Sequence, residues 1–114
     1  MAKAWARAGD AFSRAAQAYE KAGSDFSYDA ASKHADAGKM YKTAETIPKA
    51  ITSFEEAVRV YTDGARFQQS ARYMKEIAEL HESSGNQTEA RKAYGEAADL
   101  YDCLLYTSPS PRDA

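Results

Sequence analysis

The stretch Ala50-Ile51-Thr52-Ser53-Phe54-Glu55-Glu56-Ala57-Val58-Arg59-Val60-Tyr61 decides the fold, because its pattern occurs three times in the chain. Ala50, Ile51, Phe54, Ala57, Val58 and Tyr61 step by one, three or four residues, which places them on one face of a helix. Upstream, Ala8, Phe12, Ala15 and Tyr19 hold the same columns at an offset of 42, with Trp5 extending the stripe. Downstream, Ala90, Tyr94, Ala97 and Tyr101 hold them at an offset of 40. Between these stripes lie two more that match each other at 41: Phe26 with Phe67, Ala30 with Ala71 and Ala37 with Ala78. A fixed period of this length marks a repeat protein. The sequence therefore predicts an all-α chain, an α-solenoid of antiparallel helical hairpins with a period of about 40 residues.

Composition agrees with that class. Alanine, the best helix former, occurs 24 times among 114 residues, against five valines and isoleucines together. No β-branched, aromatic run of the kind a strand needs is present. With 28% charged residues and a net charge of −2, the chain lacks the basic surplus of a nucleic-acid binder. No apolar run approaches the length of a membrane span, and no secretory leader is recognisable. One cysteine cannot build a disulfide framework, so a cytoplasmic chain is expected.

The punctuation predicts five helices. Gly23 and Ser24 end the first, and the second runs from about Asp25 to Lys42. Pro48 suits the first turn of the third, where its missing N–H costs nothing. Gly64 is expected to close that helix in a left-handed conformation. Phe67, Ala71, Met74, Ala78 and Leu80 mark the fourth, ended by Gly85, and Asn86 or Thr88 opens the fifth. Two hairpins and half of a third result. Neither end offers a polar capping repeat, so residues 1–102 read as a partial repeat domain, a piece of something longer.

From Cys103 the text changes. Cys103-Leu104-Leu105-Tyr106-Thr107-Ser108-Pro109-Ser110-Pro111-Arg112-Asp113 holds the single cysteine and two of the three prolines. The string resembles a translated transposon-end sequencing adapter, one reading frame of which encodes all eleven residues. Residues 103–114 are accordingly read as an artefactual tail that packs poorly and adds nothing continuous with the fifth helix.

No catalytic constellation stands out, and the chain is not expected to be an enzyme. HExxH, Walker and GxSxG motifs are all missing from the sequence. His34 falls on the apolar stripe of the second helix and reads as a core histidine, while His81 sits near the C-terminus of the fourth. Glu55 and Glu56 read as helix-surface ion-pair partners of Arg59. Neither a metal nor a cofactor is implied. What remains is an extended surface for partners, flanked by the cations Lys3, Lys39, Lys42, Arg66, Arg72 and Lys75.

The segments Tyr61-Thr62-Asp63-Gly64-Ala65-Arg66-Phe67 and Ser70-Ala71-Arg72-Tyr73-Met74-Lys75-Glu76-Ile77-Ala78-Glu79-Leu80 resemble the alpha-type soluble NSF attachment proteins. So do Met1-Ala2-Lys3-Ala4-Trp5, Gly9-Asp10-Ala11-Phe12 and Asp36-Ala37-Gly38-Lys39-Met40-Tyr41-Lys42, in the same order, and the likeness covers residues 1–102. The resemblance implies a tetratricopeptide-like solenoid that coats the four-helix bundle of syntaxin-like SNAREs and recruits the AAA+ ATPase NSF to disassemble it after membrane fusion. It also implies SNARE contacts at Lys3, Lys42, Arg66 and Arg72, where charge would complement an acidic bundle. Family regions before Met1, which touch membrane peripherally, and after Asp102, which engage the ATPase, are expected to be missing. Nucleic acid is not an expected partner. The competing reading is a generic tetratricopeptide-like peptide-binding scaffold, but a carboxylate clamp needs repeated Asn, and Asn86 is the one asparagine in the chain.

Overall fold

The computed structural model describes residues 2–107, with side chains for 3–105. Five helices follow one another: α1 (Ala2–Ala22), α2 (Ser27–Thr43), α3 (Ile47–Asp63), α4 (Phe67–Ser83) and α5 (Gln87–Thr107). A single 3-10 turn at Ser24–Phe26 precedes α2, and no strand occurs among the described residues. Each helix packs on the next in sequence. Side chains also tie α1 to α3, through Arg59 and Glu20, and α2 to α4, through Lys42 and Glu76. The result is two helix layers, the odd helices in one and the even helices in the other, within a slab 53 × 38 × 18 Å. This is the all-α, hairpin-by-hairpin solenoid that the columns predict.

Three connectors are conformational copies. Thr46, Arg66 and Asn86 each donate a backbone N–H to the carbonyl five residues back, on Tyr41, Tyr61 and His81, at 2.8–2.9 Å. Glu45, Ala65 and Gly85 each donate to the carbonyl three residues back. These paired bonds form the Schellman closure, whose hinge residue is left-handed. The hinges are Glu45 at φ 60°, Ala65 at φ 58° and Gly85 at φ 83°. Gly64, expected to be the left-handed residue, has φ −89° and continues the helical turn, so the strained position falls one residue later, on Ala65. The first connector differs, with Gly23 at φ 124° followed by the 3-10 turn. That path is four residues long against three in the other connectors, which supplies one of the two extra residues in the first offset of 42.

The core lies where α3 passes between α2 and α4. Phe54 is wholly buried. Its ring stacks on Tyr73 of α4 at 5.6 Å between centroids, and Tyr73 stacks in turn on Tyr61 at 6.0 Å. On the α2 side the ring lies against Gly38, where a Cβ would come within 2.8 Å of Phe54 Cδ1. Gly9 of α1 makes the same close approach to the Tyr41 ring, at 2.7 Å. Small residues thus let neighbouring helices close on an aromatic ring, and that packing carries most of the stability.

Several expectations change at the edges. Trp5 and Phe26, assigned to apolar stripes, are exposed, and Phe26 sits in the 3-10 turn with its ring 5.9 Å from Tyr19. Among the described residues helix α1 packs mainly on α2, with the Glu20–Arg59 ion pair as its tie to α3, so part of its stripe is left uncovered. Helix α5 does not stop at Cys103 but runs to Thr107. Leu104 follows Ala97 and Leu100 along one face and is half-buried, and Cys-Leu-Leu-Tyr holds no helix breaker. Cys103 and Leu105 are exposed, and residues 108–114 lie outside the described residues.

Candidate functional site

The four cations singled out in the sequence do not form one cluster. Lys42, Arg66 and Arg72 lie along the seam between α2 and α4, whereas Lys3 is exposed near the start of α1, in the other layer. The seam runs from Tyr28 to Lys42, about 20 Å at the rise of an α-helix. At one end the Arg66 guanidinium, at the N-cap of α4, lies 4.4 Å from the centroid of the Tyr28 ring. Further along, Tyr73 is approached by Lys39 Nζ at 5.7 Å and by the Arg72 guanidinium at 6.0 Å. At the far end Lys42 Nζ donates to Glu76 Oε2 at 3.2 Å.

Two kinds of cation result. Lys42 is partly spent on Glu76, a part-exposed pair worth about 0.2–1 kcal/mol. Arg66, Arg72 and Lys39 rest on tyrosine rings, which orient a cation without neutralising it. Their charge stays available to an anion. Lys39, a flanking cation in the sequence, is not among the contacts that the resemblance implies, and the supporting tyrosines carry no cue in the cation pattern. The one sequence signal for Tyr28 is that it falls outside the stripe Phe26-Ala30-Ala37-Tyr41.

Elsewhere the titratable groups are structural. His34 is buried, as its place on the stripe predicts, with Nε2 3.4 Å from Glu20 Oε2. Arg59 Nη2 donates to Glu20 Oε1 at 2.6 Å and its Nε to Glu56 Oε2 at 3.1 Å, so the expected partner Glu55 is replaced by Glu20 of α1. Burial pushes the Glu20 carboxyl upward, but hydrogen bonds from Arg59 and His34 outweigh it and hold the pKa below the usual value of 4.5. Burial, with the hydrogen bond that Tyr41 Oη donates to Asp10, pushes the Tyr41 hydroxyl up to about 12. Burial among Tyr73 and Tyr28 does the same for Tyr61. Among the described residues no group of three or more His, Cys, Asp or Glu side chains is placed to hold a metal. No described helix is long and apolar enough to cross a membrane.

The chain matches the family described as "Soluble NSF attachment protein, SNAP" over residues 1–106. It belongs to the soluble NSF attachment protein family. The alpha-soluble NSF attachment protein of Dictyostelium discoideum is 45% identical over 53 residues, and that of Vitis vinifera 40% identical over 53 residues. In both cases the matched stretch is 46% of this chain and 18% of the relative, under a fifth of the relative's length. No solved structure matches the chain. The family match ends at Tyr106, inside α5 and beyond Asp102, where the resemblance was expected to end.

Proposed function

We propose that this chain is part of an adaptor that binds the acidic surface of a SNARE four-helix bundle and acts by binding rather than by catalysis. The contacts are assigned to the α2–α4 seam, with Arg66 and Arg72 as the principal cations, Lys42 beside them and Lys3 as an outlying contact. One observation carries the assignment: Arg66 and Arg72 are held against tyrosine rings rather than carboxylates, which leaves a row of oriented, unneutralised charge. Family membership supports the wider role in vesicle trafficking and membrane fusion. For the whole protein that role includes recruitment of an NSF-type AAA+ ATPase and a cytoplasmic, peripheral membrane location, both through regions outside the stretch considered.

The test reverses both arginines, Arg66→Glu and Arg72→Glu, and measures co-sedimentation with an assembled SNARE bundle at two ionic strengths. Binding is expected to fall at least about fivefold, with the larger gap at low salt, where exposed charges act furthest. Circular dichroism should be unchanged, because exposed substitutions usually cost within about 0.5 kcal/mol. Unchanged binding with helicity intact refutes the site and leaves the adaptor role resting on family membership alone.

A further inference from the structure

Tyr28 is the second residue of α2 and, at 48% exposure, the most exposed of the described tyrosine side chains. Its ring leans on Tyr61 of α3, 5.9 Å between centroids, and lies 4.4 Å from the Arg66 guanidinium at the start of α4. Both contacts are with later helices of the array, so the exposure does not come from an uncovered end. Tyr41 and Tyr94 donate their hydroxyls to Asp10 and Glu82. Among the described residues the Tyr28 hydroxyl has no such partner. The ring borders a cleft of about 250 Å³ between the first and third connectors, in which Arg66 is the one cation and Asp25 the one acid.

The chain leading to Tyr28 is weakly held. It is the connector that lacks the Schellman closure: Gly23 leaves α1 at φ 124°, and the 3-10 turn Ser24–Phe26 buries no residue. Two backbone bonds of 3.3 and 3.1 Å and the bond from Ser27 Oγ to the Ser24 carbonyl, 2.7 Å, fix its path. Few buried contacts and solvent-exposed hydrogen bonds mark a segment that opens locally at low cost. An enzyme that must draw a tyrosine hydroxyl into its own active site can therefore reach Tyr28, whereas Tyr41, Tyr61 and Tyr73 are buried inside helices. In Asp25-Phe26-Ser27-Tyr28-Asp29 the ring is flanked by two exposed acids, and neither forms an ion pair among the described residues.

We propose that Tyr28 is a phosphorylation site whose phosphate captures Arg66 and withdraws that charge from an acidic partner. In the transfer, Tyr28 Oη bonds to the γ-phosphorus of ATP as the bond to the β-phosphate oxygen breaks. ADP leaves, and the hydroxyl proton passes to the general base of the kinase. The product carries about −1.5 to −2 charges at pH 7 and three acceptor oxygens. Arg66 has no carboxylate to give up, and its planar guanidinium suits bidentate pairing with phosphate. The first turn of α2 also favours negative charge. Asp25 opposes it, but from an exposed position where solvent and salt screen the repulsion. Withdrawal rests on the SNARE contact assigned to Arg66; capture does not.

The experiment treats the whole chain with Mg²⁺-ATP and a tyrosine kinase catalytic domain and maps the product by mass spectrometry. Tyr28 is expected to be modified at least about fivefold faster than Tyr101, which also has acidic neighbours, Asp99 and Asp102, but lies inside α5. Phosphorus NMR then titrates the phosphate. Its pKa, ordinarily about 6, should fall by about half a unit and return in Arg66→Gln. Co-sedimentation with an assembled SNARE bundle should weaken about fivefold on phosphorylation, and the same treatment should change nothing in Tyr28→Phe. Tyr101 modified as fast as Tyr28, or a phosphate pKa that ignores Arg66→Gln, overturns the site. Binding that survives phosphorylation but falls in the Arg66→Glu, Arg72→Glu variant overturns the withdrawal. Binding that survives both changes is a failure of the SNARE assignment, and the withdrawal falls with it, whereas the NMR titration reads capture with no partner present.

Discussion

Phe54 on α3 and Tyr94 on α5 occupy one column of the repeat, yet the first is 0% exposed and the second 36%. Tyr61 and Tyr101, in the next aromatic column, are 5% and 42% exposed. The alanine columns between them do not differ: Ala50 and Ala57 are buried on α3, and so are Ala90 and Ala97 on α5. Each column therefore faces a different neighbour. The alanines meet the preceding helix, α2 or α4, which both α3 and α5 possess. The aromatic rings need the following helix as well. Tyr73 of α4 stacks on both rings of α3, and among the described residues α5 has no such partner. Helix α1 shows the converse: among the described residues it packs mainly on the following helix, and Ala8 and Ala15 are only half-buried. One sequence pattern thus gives three levels of burial, set by which neighbours are in place.

The sharpest way to break this comparison is to delete the ring in both places. Phe54→Ala removes a fully buried side chain gripped on both sides, and it should destabilise the fold by about 3–5 kcal/mol. Tyr94→Ala removes a ring whose main tie is the hydrogen bond that its Oη donates to Glu82 at 3.1 Å, and it should cost about 1 kcal/mol or less. Urea denaturation followed by circular dichroism measures both. Equal losses would mean that the exposed aromatic column of α5 is as well packed as that of α3.

Glycines offer the second contrast. A methyl at Gly38 would meet the Phe54 ring at 2.8 Å, and a wholly buried ring has nowhere to go. Gly38→Ala should therefore lose about 1–3 kcal/mol to overpacking, somewhat reduced by alanine's better helix propensity. At Gly95 of α5 nothing lies within 4 Å of the added methyl. Gly95→Ala should then stabilise by about 0.5–1 kcal/mol, through propensity alone. The signs are opposite, so the pair is informative even where the magnitudes drift.

These contrasts also mark what was legible in the sequence. The helices, their order and their shared columns were readable, because periodicity is a local property, and most of the α3 stripe is buried as its spacing predicts. The burial of Trp5 was not, because it depends on a neighbour rather than on spacing. Gly64 misled for a related reason: glycine is the usual left-handed residue, but the closure forms where the helix stops, which puts the strain on Ala65. The change of text at Cys103 did not end α5, since unusual composition does not break a helix unless it brings a breaker. At the candidate site the cations were readable, and their tyrosine supports were not. Arg66 and Tyr28 lie 38 positions apart, and no repeat column relates them.

The buried hydroxyls sharpen the comparison through pH. Tyr41 and Tyr61 both border α3 and have folded pKa values of about 12, against 10 when free. Between these values the unfolded chain loses protons that the folded chain keeps, so stability is full below pH 10 and declines as pH rises toward 12. The loss should be about 2 kcal/mol for each hydroxyl, since each pKa unit corresponds to about 1.4 kcal/mol. Tyr61→Phe should remove its share of the alkaline decline, read as a shallower fall of melting temperature between pH 10 and 12. A decline that Tyr61→Phe leaves untouched would place the responsible groups away from α3.

The smallest expected effect concerns how the odd helices are joined. Helix α3 is tied to α1 by Arg59 and Glu20, whereas no ion pair among the described residues joins α3 to α5. Burial alone would raise the Glu20 pKa, but hydrogen bonds from Arg59 and His34 lower it below 4.5. A carboxylate so depressed contributes stability above its unfolded pKa and loses that contribution as pH falls through the folded value. Both partners are part-exposed and screened by solvent, so the contribution stays below about 1 kcal/mol. Glu20→Gln should therefore flatten the acid limb of the stability profile below about pH 4.5 and leave the alkaline limb as it was. Added salt should shrink the difference between variant and parent, since an exposed ion pair weakens within a Debye length of about 10 Å or less at 0.1 M and above. If the acid limb is unchanged in Glu20→Gln, the tie between α1 and α3 rests on packing, and α1 is held in the same way as α5.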